Sequence, residues 1–436
     1  MVNVSRLGEA KWTGKTTLMF VSFFVGLLLE SYVFSLASIA IYWVQMPKSL
    51  GQLLLAWAPI WLIIGIIIAG PVADKLGRKI TLYITLGFYA VGGLLLFFSS
   101  NYVVLLIALA FMLMAGGGEM NSIMVATHEL MPRKHRGKAM MMEINAINLG
   151  GFILAVLAFT SAASSVVFQR DVVAVAVLLV VIALLATRTA MPESVLWLEK
   201  RGRHDEAVRQ IKAYWGDDWE AALEPEPEIK LTSKIQGADR KTSILFRVIV
   251  VTLTAAANTV GFGLVAYTLA YYYFPHLQPV ILAVFEGVGF IGGFVGLVAD
   301  RVSRRRFLFW SFLGTFIITV LIGLTTPVWQ HQMWLFWVLL VALAIVNSLC
   351  YLTEDTMKAE VWPTEVRGTW TAITRFISIG LYIPAIYLTS NMPVNTYFLF
   401  NAAVWLVGLL AATAWLVWGR ETGQGLSIEA ASGGTD

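Results

Sequence analysis

Apolar residues run along this chain in blocks of about 20 or more, the length that one bilayer-spanning helix needs, separated by short polar stretches. Twelve blocks are predicted to be helices. Six lie in the first half, at roughly 16–44, 50–70, 80–99, 102–128, 139–161 and 171–190. Six more lie at roughly 243–273, 278–299, 306–325, 333–357, 369–390 and 395–418. The one long polar segment, 191–242, carries the stretch EPEPE and reads as a cytoplasmic linker with short amphipathic helices. The expected division is an N-terminal six-helix bundle (1–190), the linker (191–242), a C-terminal six-helix bundle (243–418) and a cytoplasmic tail (419–436).

Composition sharpens this to a polytopic, all-α membrane protein. Of 436 residues 58% are hydrophobic and 13% charged, against about a quarter charged in a soluble protein. The net charge of +4 reflects orientation signals, not a nucleic-acid partner. With the N-terminus inside, the inner loops collect Lys75, Arg78, Lys79, Arg133–Lys138, Lys200–Arg203, Arg301, Arg304–Arg306 and Arg367. The outer loops hold little beyond Lys48 and Arg170. This bias places both termini in the cytoplasm of a plasma-membrane protein. The N-terminal stretch has no signal-peptide pattern, and the first block is expected to be retained as a helix. The lone Cys350 excludes a disulfide framework. Nucleophile elbow, Walker loop and metal-spaced Cys or His are all missing from the sequence, so no enzyme chemistry, cofactor or metal is expected.

Two motifs are duplicated. Gly70-x-x-x-Asp74-Lys75-x-Gly77-Arg78-Lys79 after helix 2 returns as Gly296-x-x-x-Asp300-Arg301-x-Ser303-Arg304-Arg305 after helix 8. Glu129-x-x-Pro132-x-x-x-Arg136-Gly137 after helix 4 returns as Glu360-x-x-Pro363-x-x-x-Arg367-Gly368 after helix 10. A parallel repeat of two six-helix halves places a binding site near the midplane, where the halves meet.

These motifs resemble the major facilitator superfamily over nearly the whole chain. The resemblance implies two pseudo-symmetric six-helix bundles working by alternating access, as a monomer. Pro192-Glu193-Ser194-Val195-Leu196-Trp197-Leu198 resembles the Pro-Glu-Ser-Pro-Arg-Trp-Leu motif of sugar porters, organic-ion transporters and metabolite:proton symporters, with Val195 and Leu196 in place of Pro-Arg. Glu421-Thr422-Gly423 is loosely similar to the sugar-porter end motif. Gly117-Gly118-Glu119 in helix 4 resembles metabolite:proton symporters, nicotinate-type transporters and relatives of synaptic vesicle glycoprotein 2. Residues 101–118 lack the helix-4 arginine usual in sugar porters. Glu30-Ser31-Tyr32-Val33 resembles the symporters' Asp-Gly-Tyr-Asp, keeping the first acid as Glu and losing the second.

Acids inside apolar spans are functional candidates because they are costly to bury. Glu30, beside Tyr32, reads as the proton site or as a carboxyl paired for structure. Glu119, with Asn121 beyond it, reads as a second proton or cation site, a partner for a substrate amine, or a helix–helix ion pair. Glu143 and Arg375 follow the two repeated arginines at nearly equivalent spacing. Arg375 reads as a counter-ion to a substrate carboxylate or as half of a buried pair with an acid such as Glu286. Asn258 and Tyr267 give helix 7 a polar face, while the outer tyrosines 271–273 suit an interfacial belt. Glu354 and Asp355, near Lys358, read as a local gate pair. Asp74, Arg78, Glu129, Arg136 and Glu193, with counterparts Asp300, Arg304, Glu360 and Arg367, read as a cytoplasmic gate or as headgroup anchors.

The expected function is proton-coupled symport of a small organic ion, foremost a carboxylate metabolite. The rivals are a sugar porter, a drug/proton antiporter and a non-transporting ligand sensor. Helix 5 lacks the Gly-Pro pair of the antiporters, and the linker is short for a signalling module.

Overall fold

Each apolar block becomes one helix, because backbone polar groups in hydrocarbon must be satisfied within the segment. The structure, a computed structural model, describes residues 12–45, 48–161, 164–189, 191–215, 240–362 and 366–423. Twelve helices among them are long and apolar enough to cross a membrane. In the first half these are α1 (Gly14–Ala40), α2 (Lys48–Leu76), α3 (Arg78–Phe97), α4 (Tyr102–Leu130), α5 (Arg133–Ser161) and α6 (Val166–Thr189). In the second they are α7 (Ile244–Tyr273), α8 (Pro275–Val298), α9 (Arg304–Leu324), α10 (Met333–Glu360), α11 (Arg367–Thr389) and α12 (Val394–Trp418). Polar side chains start several of them: the Asn101 amide oxygen accepts from Val103 N and Val104 N at 3.0 and 3.1 Å and caps α4.

Several boundaries differ from expectation: α2 runs on past 70 to Leu76 and α6 starts at Val166, ahead of 171. The basic run from Arg133 belongs to the first turns of α5, not to a loop. Charge at a helix end lies outside the apolar window, so hydropathy alone places it in the connection. The described part of 191–242 holds two short helices, Val195–Lys200 and His204–Trp215; the EPEPE stretch lies outside the described residues.

The halves repeat one packing plan. α1 packs on α5 and α7 on α11; α2 on α4 and α8 on α10; α3 on α6 and α9 on α12. Between halves, α5 lies against α8 and α2 against α11, again a symmetric pair. Gly65 of α2 and Gly117 of α4 set one close crossing: a Cβ on either would run into the facing backbone carbonyl, of Met114 or Leu62. Outward-facing Leu179, Ile182, Trp310 and Leu410 are exposed, as a lipid-facing wall requires.

α7 is broken beside the middle of the molecule by a π-helical turn, Leu264–Thr268. Such turns displace carbonyls from the α-helical ladder. Here α11 and α12 collect them: Tyr382 Oη donates to Gly263 O (2.9 Å), Tyr397 Oη to Leu264 O (2.6 Å) and Asn401 Nδ2 to Gly261 O (3.1 Å).

Candidate functional site

A cavity of about 90 Å³ lies where the halves meet, room for several waters at about 10–15 Å³ each. From the first half, α1 contributes Glu30, Ser31 and Phe34, with Leu62, Met120 and Ile147 behind them. From the second, α7 contributes Asn258, Thr259, Phe262 and the π-turn residue Tyr267. α10 adds Tyr351, Asp355 and Lys358, and α11 adds Arg375, Ser378 and Tyr382. Phe34 and Tyr267 bring the halves together, their ring centroids 5.1 Å apart.

Charge is unevenly distributed around this space. The Glu30 carboxylate is buried and makes no hydrogen bond or ion pair among the described residues. Opposite it stands a closed ionic cluster. Arg375 Nη2 donates to both Asp355 oxygens at 2.9 Å. Lys358 Nζ lies 2.8 Å from Asp355 Oδ1 and 3.1 Å from Glu354 Oε1. Asn258 Nδ2 donates to Glu354 Oε2 at 3.2 Å. The acid that holds Arg375 is therefore Asp355, not Glu286. Arg375 Nε and Nη1 remain without hydrogen-bond partners. Asp355 and Lys358, expected to be gate residues remote from ligand, line the cavity.

Other expected site residues turn away from it. Tyr32 Oη donates to Val173 O of α6 at 3.3 Å, on the opposite face of α1 from the cavity. Glu119 pairs with Arg188 of α6, whose Nη1 also donates to Leu82 O at 2.8 Å. This is the helix–helix ion pair reading of Glu119. Gly26 of α1 leaves the room for it: a Cβ there would stand 2.5 Å from Glu119 Oε1. Asn121 is absent from the cavity wall, and its amide oxygen is unpaired. Glu143 accepts from Thr127 Oγ1 at 2.5 Å, inside the first half. Glu286 accepts from Tyr267 Oη at 3.2 Å, one layer behind the wall, and its stem lies against Gly151 of α5.

The repeated motifs build a brace within each half. Glu193 caps α3, accepting from Arg78 N at 2.9 Å and Lys79 N at 3.2 Å, where the helix dipole favours an anion. Gly77, at φ +98°, is the turn that admits it. In the second half Glu421 does the same for α9, accepting from Arg304 N at 2.8 Å and Ser303 Oγ at 2.5 Å. Arg304 also forks onto Glu360, Nη2 at 3.2 Å and Nε at 3.3 Å. Arg78 Nη1 donates to Ala73 O at 2.9 Å, and Arg136 is half-buried at the start of α5. The side chains of Asp74, Glu129, Asp300 and Arg367 lie outside those described. Two hydrogen bonds between the halves join uncharged groups: Asn145 Nδ2 to Phe290 O (3.0 Å) and Asn148 Nδ2 to Ser348 Oγ (3.3 Å).

Sequence reasoning missed Arg188, and noted Glu421 only within the end-motif resemblance, not as a cap on α9. Arg188 stands at the end of an apolar block, where it reads as an orientation charge. Glu421 follows the last helix of its half as Glu193 does, a signal that comparison of the two halves contains.

Known proteins place this architecture. The family model of the Major Facilitator Superfamily matches residues 18–381. The glucose transporter GlcP of Staphylococcus epidermidis is 26% identical over 386 residues, covering 84% of each chain. The proton:xylose symporter XylE, solved with 6-bromo-6-deoxy-D-glucose, superposes with a TM-score of 0.75 at 18% identity, covering 99% of both chains. An inward-open structure of XylE from E. coli gives 0.69 at 18% identity, covering 95% of this chain and 98% of that one. With twelve spans, two repeated halves and a family match across most of its length, the chain belongs to the Major Facilitator Superfamily and is a multi-pass membrane transporter.

Proposed function

We propose that this transporter is a sugar porter that couples uptake to protons through Glu30. The observation that carries the substrate class is the pairing of Arg375 with Asp355. The cation expected to meet a substrate carboxylate already has a carboxylate, and Lys358 has two. An anionic substrate would have to displace a buried partner. A neutral polyhydroxyl ligand would not. The rest of the wall suits one: rings of Phe34, Phe262, Tyr351 and Tyr382 for its apolar faces, and Ser31, Asn258, Thr259 and Ser378 for its hydroxyls. The free edge of Arg375 adds donors for a neutral oxygen. The similarity to GlcP supports the same class. The carboxylate-metabolite reading, which rested on Arg375 as counter-ion, gives way to this one, since Asp355 already holds Arg375.

Glu30 is the proton site because it is the cavity carboxylate without a fixed partner among the described residues. The inter-half contacts along α5–α8 and α2–α11 are the surfaces on which the halves rock. The two braces keep each half rigid at its basic, cytoplasmic end during that motion. Counterflow in proteoliposomes tests the substrate. Labelled glucose or xylose should exchange, and labelled aromatic or aliphatic carboxylates should not. Exchange of a carboxylate that no sugar inhibits would overturn the proposal.

A further inference from the structure

Tyr89 of α3 is fully buried, and its hydroxyl has no hydrogen-bond partner. An unpaired buried hydroxyl is unfavourable and calls for a reason. Its surroundings supply one. The point where a Cβ on Gly116 would stand is 3.1 Å from Glu30 Cγ and 3.2 Å from Tyr89 Oη. The stem of the cavity acid and the phenol therefore share one notch in α4. One helical turn along α1, Gly26 makes a second notch, filled by Glu119 Oε1 and Arg188 Nη2. There too a polar atom is orphaned: Arg188 Nε has no partner. Thr85, one turn before Tyr89 on α3, donates to Glu119 Oε2 at 3.3 Å. Two acids on two levels thus bracket a phenol and a guanidinium nitrogen that both lack partners.

We propose that Tyr89 relays protons, linking Glu30 to the Glu119–Arg188 pair through water held at the Tyr89 hydroxyl and Arg188 Nε. The proposal rests on the assignment of Glu30 as the proton site and extends it toward the basic end of the molecule. In the step, the Glu30 O–H bond breaks and its proton passes, directly or through a bridging water, to the phenol oxygen. The phenol gives up its own proton to the next water, and Glu119 gains one. One proton leaves Glu30, one arrives on Glu119, and Tyr89 and the waters end as they began. Arg188 keeps its charge.

The charged and titratable groups around this path come from several helices. Arg375 and Asp355 face Glu30 across the cavity, with Tyr267, Tyr351 and Glu286 nearby. Tyr83 and Tyr89 of α3 face Arg188.

The test uses the full-length protein in liposomes, with Tyr89→Phe, which keeps the ring and removes only the unpaired hydroxyl. Proton-driven sugar accumulation should fall about tenfold or more, with a changed pH profile, while sugar counterflow stays within about twofold of wild type because exchange needs no net proton passage. Wild-type accumulation and pH profile in Tyr89→Phe would overturn the relay. A parallel loss of accumulation and counterflow would also overturn it, since that is what a packing role predicts. The double variant Glu119→Gln with Arg188→Gln removes the acceptor without leaving an unpaired charge, and should lose accumulation and keep counterflow. If wild-type protein exchanges sugar but never accumulates it in a pH gradient, the proton reading of Glu30 fails and the relay falls with it. If no sugar exchanges at all, the substrate reading is what has failed.

Discussion

Two buried ionic groups divide this molecule. In the first half, Glu119 and Arg188 are sealed between α4 and α6, out of the cavity. In the second, Glu354, Asp355, Lys358 and Arg375 are as deeply buried by area, but three of the four line the cavity. Burial alone therefore does not separate a structural pair from a site. Access to the shared space does. The first pair holds α4 to α6 away from the substrate space, whereas the cavity cluster can exchange a contact for ligand.

The largest effect should come from breaking the sealed pair. Arg188→Met leaves Glu119 as a buried, uncompensated carboxylate and should cost about 3–5 kcal/mol of stability, seen as a lower apo melting temperature. Adding Glu119→Gln should recover most of it. A single variant as stable as wild type would mean that the pair does not hold α4 to α6.

Next comes the space around that pair. Gly26→Ala puts a methyl against Glu119 Oε1 and Ile123 Cδ1, and should cost about 1–3 kcal/mol through overpacking. An unchanged melting curve would show that α1 can move away from α4 without loss.

Arg375→Ala sharpens the contrast from the other side. Asp355 keeps Lys358 at 2.8 Å, and the cavity admits water to the vacated edge. The stability loss should stay at about 1–2 kcal/mol, below that of Arg188→Met, while sugar counterflow is largely lost. Equal destabilisation by the two variants would mean that access to the cavity does not distinguish the two ionic groups.

Glu30→Gln should have the smallest effect on stability, because no described partner is abandoned. Its melting temperature should match wild type, counterflow should persist, and accumulation in a pH gradient should disappear. Continued accumulation would remove Glu30 from the coupling step.

The sequence by itself determined the twelve helices and the duplication of the two loop motifs. Spanning length is a local property: about 20 apolar residues in hydrocarbon have to close their hydrogen bonds within one helix. The duplicated motifs needed only alignment of the chain with itself. Which polar residue faces the cavity was a different kind of question. Glu30 and Tyr32 stand two residues apart, about 200° around a helix turning 100° per residue, so one lines the cavity and the other reaches Val173. No local pattern chooses between them when the helix is apolar all round. The partners of Arg375 and Glu119 were likewise undecided, since each comes from another helix, Asp355 from α10 and Arg188 from α6. Only the packing of α1, α4 and α6 in one half and of α7, α10 and α11 in the other brought those charges into contact, and with that decided which acid was left unpaired in the cavity.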